Sequence, residues 1–194
     1  MMRWDVHSKM CSWMRLGLLG LVALTWLVGC TKPEHRAARD YRNKLADEIA
    51  KSSFIEVIEH SYIDDFPEES FPEFMPRSFD DVPTIEYARI RLSAEQKEAL
   101  VKRVRSFDRT ASPVVSFCSF DPHHTIEFHS DAGIISRFEI CFGCSGFSWD
   151  AARLQGSPES WMQEFKGFIA EIGMRPEADW KDLVLKSGQV PIRR

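Results

Sequence analysis

The segment HTIEFHSDAGIISRFEICF, residues 124–142, decides the fold class because it holds two strands and the turn between them. His124, Ile126 and Phe128 share one face by the period of two that a strand imposes. Residues 131–133 supply the turn, after which the chain returns as the second strand. We therefore predict an antiparallel β-hairpin here.

The regions on either side of this hairpin predict further strands and several amphipathic helices. A first helix buries Ala38, Tyr41, Leu45 and Ile49, and a second begins at a capping box formed by Ser93 and Gln96. Ser157 caps a third, with Pro158 at its first position, and Gly173 ends it. Other strands are predicted at 54–62, 88–92 and 114–120, and a short last helix at Trp180–Val184. This order predicts an α+β fold, an antiparallel sheet with helices packed on one face.

The N-terminus carries an apolar run, residues 16–28, that follows three basic residues and ends in Leu27-Val28-Gly29-Cys30. About 13 apolar residues suit a signal peptide, whereas a membrane-spanning helix needs roughly 20. The last four residues resemble the lipobox of bacterial lipoproteins. In that family the signal peptide is cleaved before the cysteine, which carries the acyl chains. The alternative is a transmembrane anchor that ends in a cysteine by coincidence.

The lipobox resemblance implies a division of the chain. Residues 1–29 would be the signal peptide, residues 30–36 the lipidated Cys30 and a short tether, and residues 37–194 a single globular domain. Thr31 stands where that family uses Asp to signal retention in the inner membrane. The resemblance therefore implies a lipid anchor in the cell envelope, in the outer membrane where the host has one.

Charge narrows the possible partners. Residues 1–29 hold three basic residues and one acidic residue, so the rest carries a net charge of −6 rather than the −4 of the whole chain. No basic stripe of the kind that nucleic-acid binding requires is present in the sequence. We therefore expect no nucleic-acid partner. The lipid anchor would attach the chain to the membrane, and a protein is the other possible partner.

Residues 64–84 alternate acidic residues and prolines, and four phenylalanines lie among them: Phe66, Phe71, Phe74 and Phe79. Four prolines between residues 67 and 83 exclude a regular helix or a central strand. One interpretation is an acidic, aromatic loop that docks a partner or a cation. The other is a surface loop whose phenylalanines pack on the domain while its acids stay solvated.

Three cysteines remain once Cys11 leaves with the signal peptide and Cys30 carries lipid. These are Cys118, Cys141 and Cys144, an odd number that implies a free thiol, an intermolecular bond or a metal. Hairpin pairing would bring the Cys141-x-x-Cys144 corner close to His123 and His124. We therefore expect three thiols and two imidazoles at one end of the sheet.

The Pro-His pair before the strand and the Ile-Cys-Phe-x-Cys ending of the hairpin also carry a resemblance. Residues 114–150 are similar to a family of uncharacterised bacterial proteins, many of them exported. The resemblance implies that the segment is one unit. It implies no activity.

Several interpretations of the cysteines and histidines stay open. One is a structural zinc site of Cys118, Cys141, Cys144 and either His123 or His124. Another is a disulfide between Cys118 and Cys141 or Cys144. A redox dithiol is a third, although the strand expected after Gly146 provides no helix N-terminus to activate a thiol.

The functional prediction follows from these interpretations. We expect a membrane-anchored binding or structural protein whose Cys/His cluster stabilises the domain through zinc or a disulfide. The alternative is a small metal-dependent or thiol enzyme at the same cluster. His123, Glu127 and His129, on one face of their strand, could also hold a catalytic metal. No nucleophile motif accompanies them.

Overall fold

The computed structural model describes residues 33–67, 84–112, 114 and 118–188. The predicted signal peptide, Cys30, and the phenylalanines Phe71, Phe74 and Phe79 lie outside the described residues. The described residues from Glu34 onward group into one compact unit.

The described residues form an antiparallel five-stranded sheet and four α-helices, which confirms the predicted α+β fold. The strands are β1 (Phe54–His60), β2 (Glu86–Arg91), β3 (His124–Ser130), β4 (Gly133–Cys141) and β5 (Gly146–Trp149), in the spatial order β2-β1-β3-β4-β5. The helices are α1 (Pro33–Lys51), α2 (Ala94–Ser106), α3 (Glu159–Glu171) and α4 (Trp180–Ser187), and a 3₁₀ turn covers Ile63–Asp65.

The core lies between one face of this sheet and helices α1 to α3. Cross-strand register places Val57 beside Ile126, and Ile126 beside Phe138. These side chains pack in one cluster with apolar residues from the three helices, such as Leu45, Leu100 and Phe165. The predicted alternation of the hairpin is therefore confirmed, because the apolar side of β3 faces the helices.

Two predicted helix ends are confirmed by their hydrogen bonds. Ser93 Oγ accepts from the Gln96 backbone N–H, and the Gln96 side chain accepts from the Ser93 backbone N–H. At the end of α3, the Met174 N–H donates to the Ile169 carbonyl (3.1 Å), while Gly173 takes a φ of +88°. Glycine suits this position because other residues rarely adopt a positive φ.

Three details of the prediction are wrong. α1 begins at Pro33, so the first helix starts earlier than predicted and includes residues 33–36. Of the strand predicted at 114–120, Val114 forms only an isolated bridge with Ser157, and residues 118–120 are irregular. Ser157 does not cap α3, because its Oγ accepts the Phe147 N–H instead (3.1 Å). The Ser157 hydroxyl thus binds the β5 backbone instead of the start of α3.

Candidate metal centre

A cavity of about 450 Å³ lies at the end of the sheet where β3 begins and β4 ends. Its lining includes all five residues that the sequence predicted to converge, which are Cys118, His123, His124, Cys141 and Cys144. We call these five residues the cavity cluster. Trp180 and the segment 176–178 close another side. Hairpin pairing therefore brings the predicted donors together around one space.

The Cys141–Cys144 corner is a tight turn held by its own sulfur atoms. The Cys144 backbone N–H donates to Cys141 Sγ over 3.2 Å, and Ser145 then takes a φ of +51°. β5 starts at once, with Gly146 paired to Cys141. A Cβ at Gly146 would lie 3.2 Å from Cys144 Sγ, so the glycine makes room for this thiol. A strand, and no helix, thus follows the Cys-x-x-Cys motif, as predicted.

Cys144 interacts with both of the other two thiols. None of the three cysteines is in a disulfide; Cys141 and Cys144 are buried and Cys118 is exposed. Burial, and then the neighbouring Cys141 and Cys118, raise the pKa of the Cys144 thiol above its ordinary value. A neutral thiol is a poor nucleophile, so these surroundings do not activate Cys144 for redox chemistry.

His123 is held by a carboxylate and an indole. Its Nε2 lies 3.0 and 3.1 Å from the two carboxylate oxygens of Asp65. Its ring stacks on Trp180 with centroids 4.4 Å apart and planes 9° from parallel. Asp65 also accepts the Tyr62 backbone N–H (2.6 Å). The plane and rotation of the His123 ring are therefore fixed from two sides.

His124 has a different environment. It is fully buried, and neither ring nitrogen makes a hydrogen bond of normal geometry. Burial lowers the pKa of His124 to about 4, although the Glu59 carboxylate and the Arg175 backbone oppose the shift. The imidazole is therefore neutral at neutral pH.

The sequence did not predict two residues of this site, Asp65 and Trp180. Asp65 belongs to the acidic segment whose carboxylates were expected to be solvated, yet it is buried against His123. Trp180 was predicted only as part of the last helix. Phe66, the one described phenylalanine of the acidic segment, is buried with Ile85 and Val184. This placement favours packing over docking for Phe66.

A second histidine-containing cluster lies on the other face of the sheet. Glu56, Glu127 and His129 place one ligand atom each within 4.8 Å of one another, and they are the only such group among the described residues. We call these three residues the strand cluster. No three donors of the cavity cluster meet this spacing. Side-chain rotation would have to bring them to the distances of zinc ligands.

Two guanidinium groups neutralise the strand cluster. Arg89 Nη1 lies 2.7 Å from Glu56 and 3.3 Å from Glu127, and Arg137 Nε lies 3.0 Å from Glu127. His129 Nε2 lies 3.4 Å from Glu127. His123, which the sequence grouped with Glu127 and His129, belongs to the cavity instead. The arginines thus occupy the position that a metal ion would need.

No helix among the described residues has the length and apolar character needed to cross a membrane. The chain matches no protein-family model, no curated protein and no solved structure.

Proposed function

We propose that this chain is a lipid-anchored protein of the bacterial cell envelope whose domain acts by binding or as a structural element, stabilised by a zinc centre in the cavity cluster. The ligands would be Cys118, Cys141, Cys144 and one histidine of the adjacent pair. The observation that carries the zinc proposal is the convergence of three reduced thiols and two imidazoles on one cavity.

The donor chemistry supports zinc over other cations. Thiolate sulfur and imidazole nitrogen are the ligands of structural zinc sites, whereas calcium and magnesium prefer oxygen. The Cys144 N–H that donates to Cys141 Sγ would stabilise a thiolate at that position. A bound zinc ion would deprotonate the thiols despite the raised pKa of Cys144.

The anchor proposal rests on the Leu27–Cys30 sequence and on the apolar run before it. Diacylation with N-acylation buries several chains, each methylene contributing about 0.8 kcal/mol, so the attachment would be permanent. Thr31 favours the outer membrane. A protein partner remains part of the proposal, and Phe71, Phe74 and Phe79 are the candidates to contact it, since Phe66 packs inside.

A small metal-dependent enzyme is the second candidate. The observation that favours it is the cavity volume of about 450 Å³ beside the donors, which lies within the range of small-molecule sites. A three-ligand zinc site that uses Cys141, Cys144 and a histidine would leave a coordination position for water.

The test uses the full-length chain produced in a bacterium and purified in detergent. Metal analysis should find one zinc per chain, and the denatured protein should expose three alkylatable thiols. Its denatured mass should correspond to a chain that begins at an acylated Cys30. A Cys30→Ser variant should keep the zinc and lose the acyl chains. A protein without zinc, with two of the three thiols oxidised, would support a disulfide and contradict the zinc proposal.

A further inference from the structure

The two histidines of the cavity cluster hold different positions at the end of the sheet. His124 pairs with Ile140, the last pair of the β3–β4 ladder, and both side chains are buried on the core side. His123 precedes β3, and its backbone N–H donates to the Ile140 carbonyl over 3.3 Å. The ladder is therefore irregular at His123, and the contacts of each ring decide which histidine is placed to ligate.

The ring of His123 is oriented as a metal ligand requires. A ligating histidine usually donates its second ring N–H to a carboxylate, which fixes the tautomer and makes the other nitrogen a better ligand. Asp65 occupies this position at Nε2, at 3.0 Å. Nδ1 is then the nitrogen left for the cavity that His123 lines.

His124 has no carboxylate partner among the described residues, and its ring lies near the Arg175 backbone without a hydrogen bond of normal geometry. The titratable groups that face it are Glu59, His60 and His123. Glu59 itself is committed to Arg175, since its two carboxylate oxygens accept the backbone N–H and the guanidinium of that residue. No carboxylate is therefore left to orient the His124 ring as Asp65 orients that of His123. The ring lies edge-on to Phe142 and Trp180, in an aromatic environment.

We propose that His123, oriented by Asp65, is the histidine ligand of the zinc centre and that His124 is a buried residue that does not ligate. This assignment rests on the proposed zinc centre. Asp65 is a positioning residue, since it acts through His123. The acidic segment that contains Asp65 thereby gains a role in metal binding.

The experiment is a Co²⁺ titration of the full-length chain in detergent, followed by zinc competition, for the wild type and four variants. His123→Ala should lower the affinity by more than about 100-fold, and Asp65→Asn by about 10–100-fold. His124→Leu is the matched control, because it alters the adjacent imidazole, and it should retain the wild-type affinity and Co²⁺ spectrum.

A conservative replacement distinguishes ligation from folding. His123→Cys offers a fourth sulfur, and a set of four cysteine ligands is common in structural zinc sites. It should therefore restore binding of one ion, with stronger sulfur-to-cobalt charge-transfer absorption than the wild type. Circular dichroism of each variant checks that the domain folds.

Three outcomes would overturn the assignment. His124→Leu could lose the metal while His123→Ala keeps it, Asp65→Asn could bind as the wild type does, or His123→Cys could fail to restore binding. If the zinc proposal itself fails, the wild type will show no sulfur-to-cobalt absorption. That result is distinguishable from the three outcomes above.

Discussion

Strand β3 contributes histidines to two clusters that differ in how their charges are balanced. In the strand cluster, Glu56 and Glu127 lie directly opposite each other on β1 and β3, an arrangement that is unfavourable for like charges. Arg89 bridges them, and Arg137 binds Glu127 from β4. In the cavity cluster, no lysine or arginine is present among the described lining residues.

Close spacing of ligand atoms is therefore not sufficient for a metal site. The strand cluster has the tighter spacing but already contains its cations as guanidinium groups. The cavity cluster has the looser spacing, yet it offers soft sulfur donors, an oriented imidazole and a cavity. The proposed zinc centre therefore lies where the described lining holds sulfur and nitrogen donors but no lysine or arginine.

The largest effect should follow removal of zinc. Structural zinc contributes strongly to folding free energy, so a chelator should destabilise the wild type by at least about 5 kcal/mol. This corresponds to a fall of about 10–20 °C in Tm, measured by differential scanning calorimetry. The Cys141→Ser variant should show the lowered Tm without a chelator, and added zinc should not raise its Tm. Glu127→Gln is the control from the strand cluster and should respond to the chelator as the wild type does. An unchanged Tm of the wild type on chelation would contradict a stabilising zinc centre.

An intermediate effect should come from Arg89→Met. The substitution leaves Glu56 opposite Glu127 with only Arg137 to compensate, and Glu127 is largely buried. Because Arg89 is 38% exposed, screening limits the cost to about 1–2 kcal/mol in urea unfolding. The double variant Arg89→Met/Glu127→Gln should recover part of the loss. Zinc content should stay the same, and a loss of zinc in Arg89→Met would show that the two clusters are coupled.

A smaller effect is expected from Gly146→Ala. The new Cβ would lie 3.2 Å from Cys144 Sγ, so the sulfur must move by a few tenths of an ångström. Free thiols accommodate this movement, whereas a zinc ligand has a fixed bond length. Zinc affinity should therefore fall by about 10-fold, while stability in the presence of a chelator changes little.

Gly143→Ala is the control for Gly146→Ala, because it adds the same methyl group within the same turn but meets no atom within 4 Å. Its zinc affinity should equal that of the wild type. Equal affinities for the two alanine variants would mean that Cys144 Sγ is not held at a metal.

The smallest effect concerns Glu86, whose pKa is lowered chiefly by its hydrogen bonds with Arg89. A lowered carboxyl pKa stabilises the fold above the unfolded pKa, and this contribution is lost as the pH falls through the folded pKa. Since Glu86 is 44% exposed, Glu86→Gln should cost only about 0.5 kcal/mol at pH 7. Urea unfolding of both chains should converge below about pH 4, and a difference that persists there would exclude the ion pair as its cause.

The sequence predicted the elements of the fold well where the signals are local. The capping box at Ser93, the hairpin and the glycine after α3 all depend on residues close in the chain. The convergence of the histidine pair with Cys141 and Cys144 followed from the hairpin register, since Cys141 ends the strand that pairs with the start of β3. Cys118 lies outside the hairpin, so its place at the cavity depends on the segment before β3.

Contacts between distant segments could not be predicted in the same way. Asp65 reaches His123 because β1 pairs with β3, and nothing local in the acidic segment indicates this pairing. The grouping of His123 with Glu127 failed for a geometric reason. Four residues of extended chain separate the two residues by about 13 Å. Glu56, on the neighbouring strand, takes the position instead.

The most direct test of the account is zinc K-edge X-ray absorption on the full-length chain in detergent. The proposed zinc centre predicts a coordination shell of three sulfur atoms at about 2.3 Å and one imidazole nitrogen at about 2.0–2.1 Å. A shell of nitrogen and oxygen alone would place the metal at the strand cluster or elsewhere, and would contradict the assignment of Cys118, Cys141 and Cys144 as ligands.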